Sequence, residues 1–428
     1  MASRNPIARR DLLKRIGAAA TIGIGFPTLI NARALGAEDV PPASDRINIG
    51  FIGVGIRGMF SLNALINHAV AVCDVDRTVL AQAKALVEAT NGKCAAYTDY
   101  RRLLENKDID AVVVSTPDHW HALNTIDACA AGKDVYCEKP LSLTIAEGQA
   151  MLHAARRYDR VVQTGCQQRS DARFRLAREL VRSGRIGKVH TIRVGIPKVN
   201  YAGHPVPDSE PPAELDYDLW LGPAPEKPYN KKRVDYYFRF FWDYSGGQVT
   251  NFGVHHMDIA QWSLGMDESG PVTAEGVARY HPQRWYEVPE FCEITYKYAN
   301  GTTMLCGQQH PDGITFEGEK GTIYVNRSKI VSDPLEILLQ PLLTRNIHLD
   351  EGTSHPKNWL DCIKSRDLPV GDVANGHRSA TVCHLGNIAI RTGRKVRWDP
   401  EREQILGDQE QAAMLNRPYR APWKFPHG

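Results

Sequence analysis

From residue 47 onward, apolar and polar positions follow two periods in turn. Short apolar runs at 47–52, 70–74, 94–97, 111–115, 134–137 and 161–164 read as strands. Between them, stretches at 56–67, 77–90, 99–106, 119–131 and 144–158 carry apolar residues three or four apart and read as helices. Strands that are apolar throughout, separated by amphipathic helices, predict an α/β domain with a doubly wound parallel sheet over about 45–165. Past residue 165 the texture changes. A helix (171–183) and a strand (188–196) lead into a Pro- and Tyr-rich stretch, "HPVPDSEPPAELDYDLWLGPAPEKPYN", that wraps a surface or lines a cleft. A helix at 248–264 and strands at 272–281, 290–299, 302–309, 313–318 and 321–326 follow, several joined by turn signals such as "YANGT". Helices near 355–366 and 374–392 complete a second, α+β domain over 166–400 with an open-faced, mainly antiparallel sheet, leaving 401–428 as a C-terminal tail.

Ahead of this pattern stands a leader. "ARRDLLKR" sets Arg9 and Arg10 before the mild apolar run "IGAAATIGIGFPTLI" and small residues in "NARALGA". This reads as a twin-arginine signal peptide over 1–37, and so predicts passage through the twin-arginine machinery to the periplasm. The run is too short to span a hydrocarbon core of roughly 30 Å comfortably.

Composition narrows the partners. A formal net charge of +3 over 428 residues is nearly balanced and shows no basic cluster interleaved with aromatics, so no nucleic acid is expected. The nine cysteines are scattered without a C-x-x-C pair, which suits buried thiols rather than disulfides or a metal site.

"INIGFIGVGIRGMF" breaks a predicted strand into Gly53, Gly55 and Gly58, at G-x-G-x-x-G spacing, and resumes as a predicted helix through Ile56 and Arg57. Asp74 ends the next strand. Together these form a dinucleotide fingerprint: a tight turn, a backbone open to a pyrophosphate at a helix N-terminus, and a carboxylate for the ribose hydroxyls. The domain is then of the Rossmann type. Asp74 would repel a 2'-phosphate, so NAD is expected; Arg77 nearby leaves NADP open, and a purely structural Asp74 capping the next helix is compatible with both.

Two further stretches carry the chemistry: "STPDHWHALNTIDACAAGKDVYCEKPLSLT" (Ser115 to Thr144) and "GGQVTNFGVHHMDIAQW" (Gly246 to Trp262). Glu138, Lys139 and Pro140 follow a strand at its carboxyl end, where such sheets place ligands, and an ammonium there can stabilise a developing alkoxide. Asn251, His255, Asp258 and Trp262 share one helical stripe that either lines a cleft or faces solvent.

These stretches resemble the "TPxxxH … GKxVxxEKP" signature and the downstream helix of the glucose-fructose oxidoreductase and inositol dehydrogenase (Gfo/Idh/MocA) family. The resemblance implies NAD or NADP, a sugar or polyol substrate, Lys139 as the catalytic lysine with a cis bond to Pro140, and His255 as the base. It implies roles for Thr116, Pro117, His121 and Glu138 around the cofactor. The family places a carboxylate four residues before that histidine, whereas this chain has Asn251, which can orient His255 without stabilising its imidazolium. Further candidates for the substrate are Gln167, Gln168 and Arg169 in "TGCQQRS", Asp258, His384 with His377 on its helical face, and Tyr244 in the aromatic run "DYYFRFFWDY". Each of these is also readable as packing or surface.

The expected function is hydride transfer between a secondary alcohol of a sugar, polyol or glycoside and a tightly bound nicotinamide, in a homo-oligomer formed through the open sheet face. The alternatives are an NAD-dependent glycoside hydrolase working by transient oxidation and elimination, and a non-catalytic sugar-binding protein.

Overall fold

A computed structural model describes residues 46–199, 205–340 and 354–425. The export signal read in residues 1–37 lies outside the described residues.

The first sheet has six parallel strands, β1 (Ile49–Ile52), β2 (Ala69–Cys73), β3 (Ala95–Tyr97), β4 (Ala111–Val114), β5 (Asp134–Cys137) and β6 (Val162–Thr164), in the order β3-β2-β1-β4-β5-β6. Strands such as "AVVV" are buried along their whole length because helices cover both sides. Those crossovers are α1 (Ile56–Ala64), α2 (Arg77–Asn91), α3 (Tyr100–Leu104), α4 (Asp118–Ala130) and α5 (Ile145–Arg157). Two apolar cores result, one on each face, around Val112 with Leu123 and around Phe51 with Leu62. The order reverses between β1 and β4, and this switch point opens a crevice at the carboxyl ends of both strands.

After α6 (Ala172–Arg182), a second sheet of nine strands is built from β7 (Val189–Gly195), β8 (Thr273–Arg279), β9 (Phe291–Lys297), β10 (Thr303–Gly307), β11 (Gly313–Gly318), β12 (Gly321–Val325), β13 (Ile330–Asp333), β14 (Val396–Asp399) and β15 (Gln404–Ile405). Only β7 and β10 pair in parallel; every other neighbouring pair is antiparallel. In β9, "FCEITYK" buries Cys292, Ile294 and Tyr296 and leaves Glu293 and Lys297 exposed, the two-residue alternation of a half-covered sheet. The buried side meets α6, α7 (Val254–Leu264) and α9 (Val373–Thr392), while α8 (His355–Ser365) packs Trp359 onto the first domain. The other side carries the partly exposed Thr191, Thr295, Thr303, Thr315 and Thr322.

Three strands escaped the sequence reading: β13, β14 and β15. Each is four residues or fewer, at or next to a sheet edge, and too short to establish a period. The stretch read as a tail is fastened rather than free. Glu147, fully buried at the start of α5, receives the guanidinium of Arg417 and the hydroxyl of Tyr419, each at 2.8 Å. Trp423 meets Trp120 edge-on at 4.8 Å, and Arg420 donates to the carbonyls of Asp218 and Gly222.

Candidate active site

The glycines divide their work. Gly53 has φ +81°, donates to the Cys73 carbonyl, and a Cβ there would lie 2.8 Å from the Ser115 backbone; a Cβ on Gly58 would lie 2.0 Å from the Gly53 carbonyl oxygen. Both are therefore required by the turn itself. A Cβ on Gly55 would meet nothing within 4 Å. The protein alone gives no reason for glycine there, but a pyrophosphate lying against the first turn of α1 does.

Asp74 stands at the end of β2, where its carboxylate accepts from the amides of Val54 (2.8 Å) and Asp76 (3.0 Å). Burial raises its pKa, and these amide bonds oppose the rise. The helix cap is Asp76, which receives Thr78, so Asp74 keeps lone pairs for a ligand in the crevice. Arg77 does not face a 2'-phosphate site: its side chain donates to the Ala213 carbonyl and its amide to the Glu214 carbonyl. Asp216 returns a bond to the Val75 carbonyl at 3.0 Å. The Pro-rich segment thus forms a strap across this end of the crevice, a cavity of about 750 Å³ lined by Gly55, Asp74, Lys139, Leu215, Arg239 and Asn251 among others. Dimensions and donors fit NAD.

Ile56, Arg57, Thr116, Pro117, His121 and Glu138 also line the crevice. Arg57 and Glu138 spend their charges on each other at 2.6 Å, fastening α1 to the end of β5. His121 is a strut. Its Nδ1 lies 2.7 Å from the Pro140 carbonyl and its Nε2 2.9 Å from the Thr116 carbonyl, so both nitrogens must carry protons. Burial opposes that charge, but Cys137, Asp118 and the Pro140 carbonyl outweigh it, and the pKa rises to about 10.

Lys139 follows β5 and precedes a cis peptide bond to Pro140. Its ammonium donates to the Asn251 carbonyl (2.5 Å) and side-chain oxygen (3.1 Å), joining the two chemistry-bearing stretches. Burial lowers its pKa to about 8, with Arg239 adding to the effect. Asn251 sits in a π-helical turn (Val249–Gly253) that leads into α7, and donates to Gln248 at 3.0 Å. The expected orientation of His255 by Asn251 is thus replaced by orientation of Lys139. His255, 5% exposed, has a buried Nδ1 without a partner. Burial first, then Lys139 and Arg327, keep its pKa well below the usual range, so the ring is a neutral proton acceptor.

Five substrate candidates are turned away from the crevice. Arg169 and Asp258 form a buried ion pair at 2.8 Å, closed by Asp267 and Ser379. Burial of both residues demands such pairing. Tyr244 is fully buried, 4.9 Å from Trp220 in an aromatic cluster. His384 bonds the Ser142 carbonyl at 3.0 Å, and burial lowers its pKa to about 4. His377 pairs with Glu403 at 2.8 Å. These side chains hold the helices around the site. Two residues were missed: Arg239, whose side chain lines the crevice beside the rings of Tyr236 and Phe238, and Arg327 in the β12–β13 turn, exposed over the Phe252 ring and acting on His255. The arginine within "DYYFRFFWDY" was a visible signal for the first; an isolated turn arginine offered none for the second.

The fold and crevice define a two-domain dinucleotide-binding protein with a lysine at the carboxyl edge of its sheet. More particularly, the chain belongs to the Gfo/Idh/MocA oxidoreductase family: the family's NAD-binding Rossmann fold matches residues 47–166 and its C-terminal alpha/beta domain residues 175–425. Its nucleotide cofactor is NAD. Among its relatives are a glycosyl hydrolase family 109 protein of Shewanella sp. strain ANA-3, 33% identical over 35% of this chain and 37% of its own, and the myo-inositol 2-dehydrogenase of Thermotoga maritima, 31% identical over 54% and 58%. The chain thus spans roughly a third to three fifths of the curated relatives it matches. The WlbA dehydrogenase from Bordetella pertussis, solved with NADH and UDP-GlcNAcA, shares the fold at TM-score 0.61 and 20% identity, covering 83% of this chain and 99% of that one.

Proposed function

We propose that the protein oxidises a secondary hydroxyl of a sugar, polyol or glycoside. The observation that carries this reading is Lys139, whose ammonium lies in one crevice with Gly55 and Asp74 and is aimed by Asn251. NAD, when bound, supplies the acceptor for the hydride leaving the carbinol carbon. Lys139 polarises the hydroxyl and stabilises its developing negative charge. His255 takes the hydroxyl proton, its imidazole kept neutral by burial. The structural neighbour solved with NADH and UDP-GlcNAcA and the myo-inositol 2-dehydrogenase relative support the substrate class.

A second reading, a glycosidase in which oxidation is transient and the hydride returns after elimination, is favoured by the family 109 glycosyl hydrolase relatives. Aryl glycosides and free sugars, each offered with and without added NAD, separate the two. Release of the aglycone with no net NADH selects the glycosidase, and NADH formed from free sugars selects the dehydrogenase. Loss of neither compound would defeat both.

The paired Arg9 and Arg10 support export to the periplasm by the twin-arginine route, in the folded state. The strap bonded to Val75 and Arg77 supports tight retention of NAD, loaded before export. The open threonine-rich sheet face supports a homo-oligomer. Protein purified from the periplasm and denatured should release nearly stoichiometric NAD(H). An empty protein that needs added NAD would refute retention.

A further inference from the structure

Around His255 the structure gathers positive charge from Lys139 and Arg327. Arg327 projects from the β12–β13 turn with its guanidinium 4.9 Å from the centre of the Phe252 ring, beside Asn251 in the same turn. Gln168, 5% exposed, fixes it there: with both ends of its amide satisfied, Gln168 accepts from Arg327 Nε at 3.2 Å and donates to the His255 carbonyl at 2.7 Å. Arg327 and Lys139 both press on the His255 ring, whose buried Nδ1 lacks a partner.

Of the carboxylates near this end, Asp118 receives Ser245, two more are committed to arginines, and Asp312 is exposed beside His256. Glu138 belongs to Arg57, and Asp258 to Arg169 and Ser379. Asn251, where the family has a carboxylate, is neutral. Among the described residues neither Lys139 nor Arg327 has an ion-pair partner within 4.0 Å. Because Nε of Arg327 is used by Gln168, the two terminal nitrogens remain as a fork, the shape that holds a carboxylate by two parallel bonds.

We infer that the carbohydrate taken by this site is a sugar acid, its carboxylate received by Arg327 while one of its hydroxyls meets Lys139 and His255. The inference rests on the oxidoreductase reading above and names its substrate class. A planar fork matches a phosphate as well as a carboxylate, and the titration below separates the two.

Calorimetric titration of the NAD-loaded protein tests it, with glucuronate, galacturonate and gluconate against the methyl esters of the first two, glucose and glucose 6-phosphate. At least one acid should bind about tenfold or more tightly than its neutral counterpart, as a charge-assisted pair requires. Arg327→Gln should bring that ratio close to one and Arg327→Lys should restore part of it, with bound NAD unchanged in both. Equal affinity for acids and neutral compounds, or a ratio untouched by Arg327→Gln, would overturn the inference. Tighter binding of glucose 6-phosphate than of every acid would overturn the carboxylate in favour of a phosphate. Because the readout is binding, a protein that holds an acid yet oxidises nothing would count against the oxidoreductase reading alone.

Discussion

The ammonium of Lys139 and the amide of Asn251, 112 positions apart in the chain, are joined by two hydrogen bonds, at 2.5 Å to the carbonyl and 3.1 Å to the side-chain oxygen. Both acceptors are neutral, so nothing in the pair offsets burial, and the lysine titrates near 8 instead of 10.5. The charge that polarises the substrate is present below that pH and lost above it. We therefore expect kcat/KM to fall as pH rises through about 8. Asn251→Asp should move this alkaline limb upward by about one pH unit or more, because a carboxylate at that distance favours the charged lysine. A limb that stays in place would detach it from Lys139.

Lys139→Ala should reduce turnover by on the order of a hundredfold or more while NAD binding changes little, since the lost interaction is felt mainly in the transition state. Parallel measurement of kcat and cofactor affinity decides the matter. Equal losses in both would assign the lysine to the nucleotide.

Asp74→Ala removes an acceptor shared by the Val54 and Asp76 amides and the expected ribose contact. NAD affinity should fall by about tenfold, the value of a hydrogen bond to a charged group. The preference for NAD over NADP should narrow, as the repulsion of a 2'-phosphate goes with the carboxylate. Titration with both dinucleotides measures the ratio.

Arg77 anchors the strap through the Ala213 carbonyl. Arg77→Ala should therefore speed dissociation of NAD and NADP alike, by severalfold, without altering their ratio. A selective loss of NADP, followed by nucleotide fluorescence after rapid dilution, would make Arg77 a phosphate reader instead.

His121 gives a test in stability. Its folded pKa of about 10 lies above the unfolded 6.5, so its contribution is complete below about pH 6.5 and disappears as pH rises through about 10. His121→Asn should cost about 1.5 to 3 kcal/mol near pH 6, the range for bonds to a charged group, and progressively less towards pH 10. Urea unfolding at several pH values measures the difference. A constant penalty would mean the ring is neutral.

The first domain was legible because its information is local. A tight turn needs Gly53 where it stands, and a strand covered on both faces must be apolar throughout, as in "AVVV". Asp258 shows where that reading stops. Its place on a polar stripe of α7 is visible in sequence, but the stripe runs from the crevice at Asn251 down into the protein. Only the meeting with Arg169, 89 positions away, shows that the carboxylate is buried rather than presented. Tyr244 and His384 were misplaced for the same reason: their partners, Trp220 and Ser142, come from other elements.

The anchoring of Arg417, Tyr419 and Trp423 on α4 and α5 bears on how the molecule is put together during synthesis. The nucleotide-binding half emerges from the ribosome first, yet Glu147 then lacks the guanidinium of Arg417 and Trp120 lacks the ring of Trp423. Some 270 further residues must be translated before Arg417 can reach that carboxylate. A fragment ending near residue 166 would leave the Glu147 carboxylate without its ion pair and one side of the Trp120 indole uncovered, so the two halves are poor candidates for exchange with those of relatives. The C-terminal stretch closes on the nucleotide-binding domain, and the cofactor-binding wall is finished last.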